Sequence, residues 1–356
     1  MAISIQMECH FVEELIIVGA GVAGLSCLNA LLDEGVSPLL LEAGKIGTPK
    51  LCGEFLAPPA VPILQRWGVP DLHEIHDVQF HHTAMPWRVP FTRPAAAILR
   101  HVAEMALAQR ARGLGARIRE HSPIQEIIPA TASQPFRLQC VSGEVLQAKQ
   151  VIFATGKITQ THADTRVSGY VGFKTYIPQV LSRQGLDMFP LKQGYLGVIP
   201  VAPACSNLTC LIHARVVAAA GGSEAFLRNF MRNQPLFNSL EPQWQTWLEG
   251  QAPVFGAKIL PQWPGAWWIG DALAAIHPAI GYGFAHSVVS ALFVSACVMH
   301  QASRSHRQLR ARMRATLRVS GLLHQLLQHP GGLRLLTPLL RRYSAISHLM
   351  IKQLDY

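Results

Sequence analysis

Leu15-Ile16-Ile17-Val18 runs without a break into Gly19-Ala20-Gly21-Val22-Ala23-Gly24, and no other stretch limits the fold of this chain as tightly. Four apolar residues in a row read as a buried strand. The helix that follows carries apolar side chains at Val22, Leu25, Leu28, Ala30 and Leu31-Leu32, and Gly35 ends it. Leu39-Leu40-Leu41 is a second apolar strand, closed by Glu42. The result is a βαβ unit with G-x-G-x-x-G in its first turn and a carboxylate eighteen residues beyond the third glycine. Gly19 makes the tight turn, Gly21 lets the backbone approach a pyrophosphate, Gly24 packs helix on strand, and Glu42 receives ribose hydroxyls. A glutamate at that place suits an unphosphorylated ribose. A dinucleotide site follows, with Ala20, Ala23 and Ala43 beside it, but this fingerprint alone does not separate FAD from NAD.

Composition narrows the classes further. Over 356 residues, 49% are hydrophobic and 15% charged, which excludes disorder and points to extensive burial or an apolar ligand. The seven cysteines are scattered and form no C-x-x-C. That argues against a disulfide framework and against zinc, suits a reducing cytoplasm, and leaves no metal site expected. The opening MAISIQMECHFVEE does not resemble a signal peptide. The apolar run Gly283 to Met299 is slightly short for a bilayer span and reads as a buried core helix.

The net charge of +10 is concentrated after residue 300, where nine arginines and Lys352 face Asp355 alone. This tail reads either as a solvated basic face on helices capping the nucleotide domain or as attachment to an anionic membrane from the cytoplasmic side. No aromatic-interleaved basic face occurs elsewhere, so nucleic acid is not an expected partner.

Two later segments refine the nucleotide site. Val151-Ile152-Phe153-Ala154-Thr155-Gly156 is an apolar strand ending in a small-residue turn that lets the backbone pass close to a ligand. Trp267-Trp268-Ile269-Gly270-Asp271 is a strand ending in an acid, followed by Pro278, Gly281 and Gly283 at the start of the long apolar helix. Between them lie β-like pieces from 74 to 91, a helix read as opening at Thr92-Arg93-Pro94, strands from 117 to 154 and from 169 to about 215, and helices near 223–232 and 235–248. The loop Lys50-Leu51-Cys52-Gly53-Glu54 places a thiol and a carboxylate either side of a glycine. It has no second nearby cysteine for a disulfide and no partner ligands for a metal.

GAGVAG with Glu42, IFATG, and GDALAAIHPAIGYG, taken together and in this order, resemble the FAD-dependent superfamily of group A flavin monooxygenases, geranylgeranyl reductases and flavin-dependent halogenases. The resemblance implies an α/β fold: a Rossmann-like FAD-binding domain with an inserted β-rich substrate domain and a C-terminal helical segment. It divides the chain into a discontinuous FAD-binding domain (1–73, 94–165 and 255–300), a substrate domain (74–93 and 166–254) and basic helices (301–356). It implies that Asp271, after Gly270, holds a ribityl hydroxyl and that the turn of Pro278, Gly281 and Gly283 faces the isoalloxazine. Helix N-terminal amides there would stabilise the reduced ring. Cys52 and Gly53 are then expected beside the ring, and Arg93 matches the FAD-contacting arginine at the start of a helix. Tyr282 and His286 depart from the usual residues of the family.

Tyr195-Leu196-Gly197-Val198-Ile199-Pro200 resembles the strand that roofs the flavin, with Gly197 where relatives carry tryptophan. Phe189, Gly197 and Pro200 are expected to line the substrate pocket, while Glu54 and Tyr195 are the candidate catalytic side chains. His81 and His82 could reach the site but read more simply as surface histidines. No counterpart of the halogenase lysine is found.

The expected activity is hydroxylation of a small apolar aromatic or polyketide-like molecule of secondary metabolism. NAD(P)H would visit transiently, or a partner reductase would supply electrons, because the chain has one G-x-G-x-x-G. Reduction of isoprenoid double bonds, as in geranylgeranyl reductases, is the first alternative. A membrane-associated electron-transfer flavoprotein reducing quinone is the second, although it lacks clustered cysteines for an iron–sulfur centre.

Overall fold

The computed structural model of the chain describes residues 11–81, 86–156, 167–178, 184–237 and 240–299, with positions 314, 317, 318 and 321 beyond them. His82 and, apart from those four positions, the basic tail lie outside the described residues. The chain begins with β1 (Val12–Val18), α1 (Val22–Asp33) and β2 (Leu39–Leu41), then β3 (Phe55–Leu56) and α2 (Val61–Arg66). There follow β4 (His73–Phe80), β5 (Trp87–Ala97), α3 (Arg100–Gly113), β6 (Arg117–Arg119), β7 (Ile124–Ile128), β8 (Phe136–Cys140) and β9 (Val145–Phe153). The second half holds β10 (Val167–Ile177), β11 (Gly185–Leu191), β12 (Gly194–Ala202), β13 (Cys205–His213), α4 (Ala214–Ala219) and α5 (Ser223–Arg232). It closes with β14 (Leu248–Pro253), β15 (Gly256–Ala257), β16 (Ala266–Trp268), β17 (Ala274–Ala275) and α6 (Gly283–Met299).

The expected βαβ unit is present, with Ile16, Ile17 and Val18 of β1 opposite Leu39, Leu40 and Leu41 of parallel β2. These strands belong to a sheet ordered β6-β2-β1-β9-β8-β7, with β16 also pairing on β9. Because β1, β2, β9 and β16 run parallel at the centre of this sheet, the stretches where they pair, Leu15–Val18, Leu39–Leu41, Val151–Phe153 and Ala266–Trp268, are apolar rather than alternating. Val22 to Leu31 of α1 are all buried, since α1 packs against both α3 and α6. α6 buries Phe284, Ala285, Val288, Ala291 and Val294, each large aliphatic or aromatic among them contributing about 1.5–3 kcal/mol. No helix among the described residues is long and apolar enough to cross a membrane.

A second sheet of eight strands, ordered β14-β10-β13-β12-β11-β4-β5-β3, holds the inserted segments. One face packs on α5 through Phe173, Phe189, Leu196, Val198, Leu227 and Met231. The other face and the half of the chain that carries α1 and α6 together line the cavity described below.

Two expectations about this region are corrected. Thr92-Arg93-Pro94 does not open a helix: β5 continues to Ala97, and α3 begins at Arg100. Ala95, Ala96 and Ala97 pair with β4, and Ala96 and Ala97 also with β3, so long-range pairing overrides a local helix-start signal. The register of β4 and β5 shifts between Ile75 opposite Ala95 and Asp77 opposite Pro90. That irregularity accommodates Pro94, which has no amide hydrogen for the ladder. The helix read over 235–248 is instead two short 3-10 turns leading into β14.

Candidate functional site

The glycine turn is packed too tightly for side chains. Gly19 has φ +105°, and a Cβ there would lie 2.5 Å from the Ala154 carbonyl oxygen. A Cβ on Gly24 would lie 1.8 Å from the Gly19 carbonyl oxygen, which is the helix-on-strand contact the motif requires. The turn is tied down by Gly19 N donating to Leu41 O (2.7 Å) and Ala154 N donating to Val18 O (2.8 Å). Gly21 caps α1, and no side chain bonds to that helix end or places an acid in its first turn. The uncapped amides and the helix dipole favour an anion there.

Glu42 sits at the end of β2 as expected. Its Oε2 accepts from Ala20 N (2.6 Å) and its Oε1 from Gly44 N (3.1 Å), orienting the carboxylate at the rim of the cradle; Ala43 beside it is exposed. Thr155 Oγ1, after β9, is buried with no hydrogen-bond partner among the described residues, an unsatisfied polar atom of the kind a bound group can pair.

Sequence reasoning missed Arg100, which stands at the helix start where Arg93 was expected. Arg93 lies exposed on β5. Arg100 opens α3 and crosses the mouth of α1: a Cβ on Gly21 would be 3.6 Å from its guanidinium. Arg100 Nε donates to Glu104 Oε1 at 2.9 Å, and Lys50 Nζ pairs with Glu104 Oε2 at 3.2 Å. Burial opposes the Arg100 cation, but Cys52, Glu104 and Asp271 around it hold its pKa above the ordinary arginine value. The i,i+4 spacing of Arg100 and Glu104 is the signal that marks this helix start.

Beyond β16 the chain makes a second set of close approaches. His286 Nε2 donates to Gly270 O (3.0 Å), and Gly270 N donates to Ser290 Oγ (2.9 Å). Two residues one turn apart on α6 thus fix Gly270, at φ +57°, and with it the neighbouring Asp271. A carbonyl only accepts, so Nε2 carries the proton. His286 is therefore a buried positioning residue. Burial lowers its pKa, against the field of Asp271 and two backbone hydrogen bonds.

The unfolded histidine takes up a proton near pH 6.5, before the folded one does. Stability from this site is full above about pH 6.5 and declines as pH falls toward the lower folded value. Denaturant midpoints at pH 7.5 and 5.5 are expected to differ less in His286→Gln than in wild type. An unchanged difference contradicts this assignment.

The turn Pro278–Ile280 is capped by His277, whose Nδ1 accepts from Ala279 N at 3.3 Å, and ends at Gly281, φ +66°. A Cβ on Gly281 would meet the Phe55 ring at 2.5 Å, whereas at Gly283 and Gly53 it would meet nothing within 4 Å. Those open positions border a cavity of about 230 Å³ between the turn and the second sheet. The sheet supplies Leu186 and Met188 from β11, Tyr195, Gly197 and Ile199 from β12, and Thr209 and Leu211 from β13. Tyr195 is 5% exposed, and burial raises its pKa, so the phenol stays protonated.

Strand alternation corrects two pocket residues. Phe189 and Pro200 lie out of phase with Met188 and Ile199. Phe189 packs among Phe230 and Phe237 on the far face, while Pro200 is not part of the cavity wall. His81 also belongs to the far face: its Nε2 is 2.7 Å from Asp187 Oδ1, and its ring stacks on Phe189 at 4.4 Å.

Cys52 and Glu54 both border the cavity; Cys52 is a free thiol whose Sγ accepts from Glu54 N at 3.4 Å, whereas the Glu54 carboxylate is fully engaged. Glu54 is 1% exposed, and its carboxylate accepts from Lys174, Tyr176, Asn207 and the Arg100 amide. Among the described residues no group of three His, Cys, Asp or Glu could hold a metal ion.

No protein-family model and no curated protein sequence matches the chain. Solved structures do. A flavin-dependent brominase, Bmp2, is 14% identical over 97% of this chain and 93% of its own, with a TM-score of 0.81. A geranylgeranyl bacteriochlorophyll reductase-like protein from Thermoplasma acidophilum is 17% identical over 89% and 88%, with a TM-score of 0.74. PqsL, a probable FAD-dependent monooxygenase from Pseudomonas aeruginosa, is 12% identical over 90% and 98%, with a TM-score of 0.71. The chain has the fold shared by this flavin-dependent brominase, the reductase-like protein and the probable FAD-dependent monooxygenase.

Proposed function

We propose that the chain is an FAD-dependent oxidoreductase that hydroxylates a neutral, apolar aromatic or polyketide-like molecule. The observation that carries this reading is the juxtaposition of an uncapped glycine cradle with an apolar cavity at the Pro278–Ile280 turn. Bound FAD would supply the redox chemistry, accepting reducing equivalents and reacting with oxygen. Glu42 would hold its ribose, the α1 N-terminus and Arg100 its pyrophosphate, Thr155 a further polar group, and Asp271 its ribityl chain.

The protein's own part is orientation and exclusion of water. Among the described residues, the charged side chains lining the cavity are Glu54, Arg100 and Asp271, and the wall residues supplied by β11, β12 and β13 are uncharged. A charged substrate would be buried without a partner there, at a cost of several kcal/mol. A neutral substrate fits, and the protonated Tyr195 hydroxyl is its natural hydrogen-bond donor. NAD(P)H or a partner reductase is the proposed electron source. The basic tail is proposed as a contact with anionic membrane, which vesicle flotation of the full chain tests.

Oxygen uptake matching a product that gains one oxygen atom supports hydroxylation. The apolar sheet wall and the likeness to the reductase-like structure favour a second reading, reduction of an isoprenoid double bond. A product gaining two hydrogens with no oxygen consumed selects that reading instead.

A further inference from the structure

One ammonium group is buried beside the cavity and takes no part in the cradle. Lys174, in the middle of β10, is 2% exposed, and its Nζ lies 3.0 Å from Glu54 Oε1. The Tyr176 hydroxyl shares its single proton between the two Glu54 oxygens, at 3.0 and 3.1 Å, and accepts from Lys174 Nζ at 3.0 Å. Asn207 Nδ2 donates to Glu54 Oε2 at 2.6 Å, and Arg100 N donates to Oε1 at 3.2 Å. A carboxylate offers about four acceptor directions, and these donors fill them. No lone pair remains aimed at a substrate proton, so Glu54 is not placed to act as a general base.

What the network fixes is backbone. Glu54 stands at φ +57°, a left-handed conformation unfavourable for a residue with a Cβ. Two residues earlier, Cys52 O accepts from Asn207 Nδ2 (3.0 Å) and Thr209 Oγ1 (3.4 Å). Lys174 pairs with Thr209, and Tyr176 with Asn207, across β10 and β13, so all four donors form one polar block on the cavity-facing side of the sheet. The turn is therefore gripped on both sides of Gly53, where the backbone is open to the cavity.

We propose that Lys174 is a positioning residue: through its ion pair with Glu54 it holds the strained Cys52-Gly53-Glu54 turn against the seat of the flavin ring. The inserted sheet and the nucleotide domain thereby close on the cofactor as one unit. This inference rests on the FAD reading above. It makes Glu54 part of a clamp rather than a proton-transfer group.

FAD affinity, read from quenching of flavin fluorescence on apoprotein, tests it without turnover. Lys174→Met and Glu54→Gln are each expected to weaken FAD binding by about tenfold or more, because each leaves a buried polar partner unmatched. The double variant is expected to be no weaker than the worse single one, since both remove the same pair. Tyr176→Phe keeps the ring packing and removes one donor, so it reports even if the charge variants do not fold; a several-fold loss is expected. The visible circular dichroism of bound FAD, which reports how the ring is seated, is expected to change in the same way in every variant.

Wild-type affinity in Tyr176→Phe and Lys174→Met overturns the clamp, as does a double variant showing the product of the single losses. Absence of FAD binding in the wild type overturns the functional reading itself.

Discussion

Gly24→Val is expected to yield a chain that binds no FAD and unfolds well below the wild-type temperature. A Cβ at this position falls 1.8 Å from the Gly19 carbonyl oxygen and 3.2 Å from Ala154 Cβ. Neither neighbour can yield cheaply, because Gly19 is held by Leu41 and Ala154 by Val18. Helix α1 must move off β1, and with it the uncapped amides that define the anion site. Overpacking of this kind costs about 1–3 kcal/mol or more in stability, and displacing the helix N-terminus removes the pyrophosphate site altogether. Gly250→Ala is the control, since its Cβ would meet nothing within 4 Å and its effect is expected to stay within about 0.5 kcal/mol. Urea midpoints and FAD titration of both variants measure the contrast. A Gly24→Val protein that takes up FAD like wild type contradicts the assignment of the cradle.

Gly197→Trp is expected to separate cofactor from substrate. Position 197 faces the cavity between Leu186 and Met188, and a Cβ there would lie 3.3 Å from Met188 Sδ, the far end of a flexible side chain. The added indole can therefore be admitted by moving Met188, but it fills space in a cavity of only about 230 Å³. The nucleotide cradle lies on the other side of that space and is untouched. FAD affinity is expected to stay within about twofold, whereas turnover of a neutral phenolic substrate falls by roughly a hundredfold, the scale of a misplaced reactant. The comparison uses any neutral phenol that raises the wild-type melting temperature. Equal turnover in the variant would place the substrate elsewhere.

The nucleotide half of the molecule was legible because its signals are local. A run of four apolar residues, three glycines at fixed spacing and an acid after the next strand all lie within one βαβ unit. Asp271, Gly281 and Gly283 were named from the resemblance, and the structure places all three at the cavity. The substrate half was not legible in that way. Alternation in Gly185–Leu191 and Gly194–Ala202 could be read, but its phase is set by which face α5 covers, so Phe189 was assigned to the cavity wall in preference to Met188. The end of β5 was misread because its pairing with β3 and β4 outweighs a proline and a threonine that resemble a helix start.

Buried polar chemistry was the least visible. Lys174 lies between Phe173 and Thr175 in an otherwise ordinary strand, and its partner Glu54 is 120 residues away. Nothing in either local sequence announces an ion pair. Tyr176 and Asn207 became meaningful only through the register that sets them side by side.

The central claim is that this chain binds FAD in the cradle formed by Gly19, Gly21, Gly24, Glu42 and Arg100. Calorimetric titration of the purified chain with FAD, and separately with FMN and NAD, tests it most directly. The account predicts one FAD per chain with a dissociation constant at or below about 1 μM, equivalent to roughly −8 kcal/mol, and much weaker binding of FMN and NAD. A folded chain that takes up no FAD, or that prefers NAD, would contradict it.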